Sequence, residues 1–270
     1  MVNESFVKPF GLNLVRVGVS AVLLWILFFI KPTKVVIKKK DIGRFLLCAL
    51  MGITLNQLLF VKGLSLTYSI HASLLMLTTP ILITILAAWL LKERLNAFKT
   101  LGLSLGIIGA IILISSRESS GNANDVLLGD LLVIFNAIAY AFYFIAVKPL
   151  MQTYNPVAII RIIFTIGFFM MLPFCWHEFH EINFASFTPQ AWFALAIITL
   201  TGTFLAYLFN IYGIKILGAS IAGTYIYSQP FFTAAIAMVF LNEGFTWMKG
   251  LAAVCIFLGV YLTNRKTSNA

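Results

Sequence analysis

The sequence predicts an all-α, polytopic integral membrane protein, with nine transmembrane helices arranged as an inverted repeat: an incomplete four-helix copy followed by a five-helix copy. Three observations predict it: the composition, the length of the apolar runs, and the likeness of the chain to itself at one constant offset. The 270 residues are 61% hydrophobic and 10% charged, and the mean hydropathy is +0.98. A soluble domain carries about 25% charged residues, so this chain lacks the polar surface a water-facing fold requires.

A helix needs roughly 20 mostly apolar residues to cross about 30 Å of hydrocarbon. Nine runs qualify, at 9–30, 42–64, 69–91, 97–115, 127–148, 156–175, 190–212, 219–241 and 246–264. They are about twice as long as a barrel strand and do not alternate strictly, which selects helices over strands. The first run stops at Lys31-Pro32-Thr33, the sixth starts after Asn155-Pro156 and the seventh after Thr188-Pro189; each of these is a helix-boundary signal. The third run carries Pro80 near its middle and the eighth carries Pro230. The fourth presents Gly102, Gly106 and Gly109 on one face, small residues that let helices approach closely. The least apolar stretch, 115–130, divides the chain into two domains, 1–117 and 127–266. The start shows no removable signal peptide, and Cys48, Cys175 and Cys255 read as small apolar residues, not a metal or disulfide set.

Lys and Arg are enriched in short cytoplasmic loops. Of the basic residues, Lys31, Lys34, Lys38, Lys39, Lys40 and Arg44 fall between the first two runs, and Lys92, Arg94 and Lys99 between the third and fourth. Lys148, Arg161, Lys215, Arg265 and Lys266 fall on that same side. Lys8, Lys62, Arg117 and Lys249 fall on the other, where most of the acidic residues also lie. The expected location is therefore the inner (plasma) membrane, with the C-terminus cytoplasmic and, over nine crossings, the N-terminus outside.

At an offset of 150 the second to fourth runs align with the seventh to ninth without a gap. Gly63 meets Gly213, Ala72 meets Ala222, Pro80 meets Pro230, Glu93 meets Glu243, Lys99 meets Lys249 and Gly109 meets Gly259. The sixth run, with Pro156 before Arg161, matches the first, with Pro9 before Arg16. The unit is thus five helices, and an odd number of crossings turns the second copy upside down. Inverted repeats are a recurring transporter architecture; a duplication without alternating access is the alternative.

These residues resemble the EamA-type members of the drug/metabolite transporter superfamily. The resemblance rests on Gly63, Ala72, Pro80, the closing LLKERL at 90–95 and Gly109, and on their second set: Gly213, Ala222, Pro230, FLNEGF at 240–245 and Gly259. The stretches 129–150 and 154–161 look like the opening of that family's second repeat. The resemblance implies a permease for amino acids, nucleosides, sugars or amphipathic drugs. It also implies ten helices with both ends inside; with Met1–Lys8 before the first run, the expectation is either a start placed too late or a protein that works with nine helices.

A proline at mid-helix removes a backbone hydrogen bond and kinks the helix, leaving here the carbonyls of Met76 and Ile226 available. Irregular backbone at that depth needs protein or a water-filled cavity around it. Polar residues gather beside both kinks: Thr78 and Thr79 near Pro80, and Tyr225, Tyr227, Ser228 and Gln229 near Pro230. Asn56, Gln57, Thr203, Tyr207 and Asn210 stand at comparable depth in the second and seventh runs, and Asn136, Tyr140 and Tyr143 in the fifth. Together they form the expected substrate path; the alternative is that each only joins neighbouring helices. Arg16 and Arg161 are expected to snorkel to the interface, with binding of an anionic substrate as the alternative; His71 is expected to stand alone, and Glu93 and Glu243 to pair with adjoining basic residues.

No HExxH, GxSxG or Walker loop is present and the deep spans lack carboxylates, so no catalytic residue, metal or cofactor is expected. The expected activity is secondary transport of a small neutral or zwitterionic metabolite by alternating access. The alternatives are a non-transporting scaffold or truncated subunit and, more remotely, an intramembrane enzyme. The expected partners are the small-molecule substrate and the lipid bilayer, with a homodimer open to it and no nucleic acid.

Overall fold

The structure, a computed structural model, describes residues 8–30, 32, 35–90, 97–115, 125–217, 236, 239–240 and 246–264. Every regular element among them is helical. In chain order they are α1 (Pro9–Ile30), α2 (Lys39–Leu66), α3 (Ser69–Met76), α4 (Thr79–Leu90), α5 (Ala97–Ser115), α6 (Val126–Thr153), α7 (Pro156–His180), α8 (Pro189–Gly213, helical on to Leu217) and α9 (Trp247–Asn264). Five of them, α1, α2, α6, α7 and α8, are long and apolar enough to cross a membrane. The run at 219–241, with Tyr225, Tyr227, Ser228, Gln229 and Pro230, lies outside the described residues apart from 236, 239 and 240, as do Glu93 and Glu243.

Local chemistry explains where the helices begin. Asn155 Oδ1 accepts the Val157 amide at 2.9 Å, and Thr188 Oγ1 accepts the Ala191 amide at 3.3 Å. Each satisfies an amide that has no partner inside its own helix, and each precedes a proline whose missing N–H costs nothing there. Large apolar side chains remain on the outside, among them Val22, Phe29, Phe169 and Phe174. In lipid that exposure carries no penalty, because the hydrocarbon is as apolar as the side chains.

The chain forms two compact units, residues 1–61 with 146–222 and residues 62–145 with 223–270, so each unit draws on both halves of the sequence. In the first, α1 packs along α7. A methyl group on Gly11 would meet the Glu178 backbone at 2.9 Å, one on Gly18 would meet the Phe168 ring at 2.8 Å, and Trp25 Nε1 donates to Thr165 Oγ1 at 3.0 Å. Numbers rise along α1 as they fall along α7, so the two run antiparallel. The unit's interior is filled by Leu14, Val17, Leu24, Phe45, Ile53 and Phe164.

In the second unit α5 packs along α9. A methyl on Gly109 would lie 2.7 Å from Ile256 and 2.9 Å from the Ala252 carbonyl, and one on Gly259 would lie 2.6 Å from both the Gly102 oxygen and the Gly106 nitrogen. These helices are antiparallel too, and the contacts are reciprocal. Adding 150 to 102, 106 and 109 gives 252, 256 and 259, so each contact becomes the other when the two helices exchange places. Such exchange is the mark of a two-fold relation.

The third sequence run, expected as one kinked helix, is instead two helices, α3 and α4, separated by Leu77 and Thr78. Pro80 has no N–H for the Met76 carbonyl, and its ring crowds the preceding turn. The chain falls back to tighter bonds: Leu77 N donates to Leu74 O at 3.1 Å and Thr78 N to Leu75 O at 3.0 Å. The Leu75 carbonyl also accepts the Thr78 hydroxyl at 2.6 Å. It is this carbonyl, one residue before Met76, that receives the side-chain bond.

Candidate functional site

Both α2 and α8 contain a π-helical turn, at Leu50–Thr54 and Leu200–Leu205. The two begin 150 residues apart. A π turn shifts carbonyls off the regular ladder and leaves them to find other donors. Here the Ala49 carbonyl accepts the Thr54 hydroxyl at 3.4 Å and the Gly52 carbonyl accepts the Tyr207 hydroxyl at 3.3 Å; the Thr54 hydroxyl also lies 3.4 Å from the Gly167 carbonyl of α7.

Around these turns the first unit assembles a polar cluster from three helices. Gln57 Nε2 donates to the Tyr207 hydroxyl at 2.9 Å. That hydroxyl, with one proton, is offered the Asn56 Oδ1 at 3.2 Å and the Gly52 carbonyl as acceptors. The Phe164 ring closes one side, edge to face with Tyr207 at 5.0 Å. From α1, Arg16 Nε and Nη2 donate to Thr203 Oγ1 at 3.1 and 2.9 Å. Asn56, Gln57, Thr203 and Tyr207 are therefore brought together, and Gln57 and Tyr207 are themselves 150 residues apart. Asn210, three residues beyond Tyr207, is half-buried and makes no side-chain bond to this cluster.

Arg16 does not snorkel. Its hydrogen-bond partner, Thr203, lies fourteen residues from the start and ten from the end of the α8 span Pro189–Gly213, so the guanidinium points at mid-span. Asn13 and Ser20, on the same face of α1, are both fully buried, as is Thr199 at 3% exposure on α8. Asn13's amide atoms and the hydroxyls of Ser20 and Thr199 have no hydrogen-bond partner among the described residues. Reading the sequence overlooked Asn13 and Ser20, although their spacing with Arg16 in an otherwise apolar helix follows the i, i+3, i+4 pattern of one face. Arg161 is buried as well, its guanidinium lying 4.7 and 3.8 Å from the Trp25 and Phe28 ring centres, a cation–π arrangement.

The second unit holds Thr78, Thr79 and Pro80 at the α3/α4 break and Asn136, Tyr140 and Tyr143 on α6. Thr78 is turned onto its own backbone and Thr79 is 1% exposed. Tyr140 and Tyr143 stack at 5.8 Å, and Phe144 lies edge-on to both. His71, expected to stand alone, does not: its Nδ1 lies 3.0 Å from Asp130 Oδ2, while Asp130 Oδ1 accepts the Thr67 hydroxyl at 2.5 Å. Asp130 and Lys249, read as loop-side charges, are both fully buried, and Lys249 Nζ sits 5.0 Å from the Tyr68 ring centre. The sequence hid this cluster because its members come from three helices separated by long stretches of chain.

Three attachments fix the helix ends. Glu178 Oε2 accepts the amides of Phe10 and Gly11 at 2.7 and 3.2 Å, capping α1 from across the unit. Lys8 pairs with Glu181, which holds the Lys8 amine above its ordinary value and the Glu181 carboxyl below its own. At the other end of the unit the Tyr154 hydroxyl donates to Asp41 at 2.7 Å and accepts the Lys38 amide at 3.1 Å. A groove of about 680 Å³ runs beside α1, lined by Leu14, Val19, Trp25, Phe168, Phe184 and Trp192. Its apolar walls suit lipid chains, not a polar solute.

The sequence profile described as the EamA-like transporter family matches residues 2–115 and 127–265. The uncharacterized transporter YetK of Bacillus subtilis (strain 168) is 27% identical over 246 residues, covering 90% of this chain and 74% of the relative. A protein of Streptantibioticus cattleyicolor named "Probable terminal-alkyne amino-acid exporter" is 24% identical over 261 residues, covering 95% of this chain and 84% of its own. A solved crystal structure shares the fold with a TM-score of 0.62 at 17% identity, covering 95% of this chain and 87% of that one. With matches over nearly its whole length and several helices able to cross a bilayer, the chain is a multi-pass membrane protein that belongs to the EamA-like transporter family.

Proposed function

We propose that this protein is a secondary transporter that moves a small neutral or zwitterionic organic metabolite across the inner membrane by alternating access. In this reading its two inverted repeats, 1–117 and 127–266, rock about a shared polar centre, with the C-terminus in the cytoplasm. The observation that carries the reading is the Gln57–Tyr207 hydrogen bond. Residues related by a two-fold axis touch each other only where they meet that axis. The two residues occupy equal places in the two repeats, each just after a π turn, so their contact supports an axis through the polar cluster. Inverted transporters bind substrate at such a repeat interface, near the midplane.

Four further facts support it. The α5–α9 contacts are reciprocal and antiparallel. The α3/α4 break is a discontinuous helix of the kind that lines transport sites. The cluster is built from amide and hydroxyl groups, which suit a polar organic solute. A relative named for amino-acid export matches over most of the chain.

The test is efflux and uptake profiling of cells overexpressing the chain against a metabolite panel, beside cells carrying Gln57→Leu with Tyr207→Phe. A metabolite whose flux rises with the chain and falls to background in the double variant is expected. A panel in which no flux depends on the chain refutes the proposal.

A further inference from the structure

The geometry points to Arg16 as the receptor for a carboxylate on the transported solute, which narrows the substrate class to carboxylate-bearing metabolites. This rests on the transporter reading and deepens it. A charge held inside a membrane span is costly unless something answers it. Among the described residues Arg16 donates to one neutral hydroxyl, that of Thr203, which takes two of its five donors.

The acidic groups described in the same unit are committed elsewhere. Asp41 accepts the Tyr154 hydroxyl, Glu178 accepts the amides of Phe10 and Gly11, and Glu181 pairs with Lys8. Arg161, which is buried, has the faces of Trp25 and Phe28. Among the described residues Arg16 stacks on no aromatic ring and meets no carboxylate; its neighbours are the Thr203 and Tyr207 hydroxyls, so its positive charge at mid-span has no counter-anion there.

The surroundings suit the single carboxylate of a zwitterion. The guanidinium fork matches a carboxylate with two parallel hydrogen bonds. A doubly charged phosphate would leave half its charge unmatched, since no second cation joins this cluster among the described residues. Asn13, three residues before Arg16, is fully buried with both amide atoms unpartnered, a second donor on the same face. The Tyr207, Gln57 and Asn56 groups then remain for the rest of the solute.

The full chain is reconstituted in phosphatidylcholine vesicles loaded with a mixture of common zwitterionic amino acids, or with the matching amino-acid amides, in which a neutral carboxamide replaces the carboxylate. Loss from the vesicles is followed by mass spectrometry, and the melting temperature of the protein in detergent is read with each mixture. Acids are expected to leave at least about tenfold faster than amides, the scale of one charge-assisted hydrogen bond. Arg16→Gln should lose that preference, and Arg16→Lys should keep a reduced one. Equal flux of acids and amides in the wild type overturns the carboxylate receptor, whether or not the variants fold, and so does an undiminished preference in Arg16→Gln; either leaves the carrier standing. If nothing moves, yet acids alone raise the melting temperature of the wild type and not of Arg16→Gln, the receptor stands and the carrier falls. Neither flux nor a shift overturns both.

Discussion

Replacing Gly259 by alanine tests the antiparallel α5–α9 contact directly. The added methyl would sit 2.6 Å from the Gly102 carbonyl oxygen, 2.6 Å from the Gly106 nitrogen and 3.0 Å from the Gly106 α-carbon. All three are backbone atoms, and no side-chain rotation relieves them, so the helices must move apart along their whole contact. Overpacking of this kind costs roughly 1–3 kcal/mol, offset by up to about 1 kcal/mol of helix propensity that alanine gains over glycine. Gly43→Ala is the control: nothing lies within 4 Å of its new methyl, and only the propensity gain applies. The same substitution should therefore destabilise at 259 and stabilise at 43, a divergence of roughly 2 kcal/mol. Reversible unfolding in mixed micelles, followed by circular dichroism, reads the difference. Equal stability of the two variants would show that α5 and α9 do not meet at Gly259 and would remove the reciprocal contact from the case for a two-fold repeat.

Tyr207→Phe leaves the Gln57 amide without its acceptor; a loss of roughly 0.5–2 kcal/mol in stability and a lower flux than wild type are expected from unfolding and transport measurements on the same preparation. Asp130→Asn replaces one carboxylate oxygen with a donor facing Thr67 or His71, both buried; unfolding should show about 1–3 kcal/mol of destabilisation, and an unchanged midpoint would refute the pairing. The Lys8–Glu181 pair gives a pH window. Lys8, raised by its hydrogen bond with Glu181, contributes fully below its ordinary 10.5 and loses that contribution as pH rises through the raised value. Glu181, lowered by its hydrogen bond with Lys8, contributes above its ordinary 4.5 and loses it as pH falls through the lowered value. A double-mutant cycle of Lys8→Gln and Glu181→Gln should show coupling near pH 7 that fades towards both extremes; coupling independent of pH would refute an ionic origin.

The helices were legible in the sequence wherever hydrophobic length and a boundary residue agree. The runs at 9–30 and 97–115 match α1 and α5 end to end, and Asn155-Pro156 and Thr188-Pro189 stand at the starts of α7 and α8. Lipid enforces this: a backbone in hydrocarbon must satisfy its own hydrogen bonds, so a long apolar run has one available structure. Pro80 likewise marked where the third run fails, because the missing N–H is a property of the residue itself. Gln57 and Tyr207 also stand 150 residues apart, a relation that only their contact brings out.

Whether a polar side chain faces lipid, a helix neighbour or the polar centre was decided by the tertiary structure alone. Arg16 could have reached the interface by its length; α8 places the Thr203 hydroxyl within hydrogen-bond reach and turns it inward. His71 gained Asp130 only because α6 begins beside the end of α2, where a methyl on Gly63 would stand 2.9 Å from the Gly129 carbonyl. The π turns, too, have no signature in composition; at the first of them the Gly52 carbonyl finds its donor, the Tyr207 hydroxyl, on another helix. Hydrophobicity along one chain determines which segments enter the membrane, whereas the partner of each buried polar group depends on which faces of separate helices are packed together.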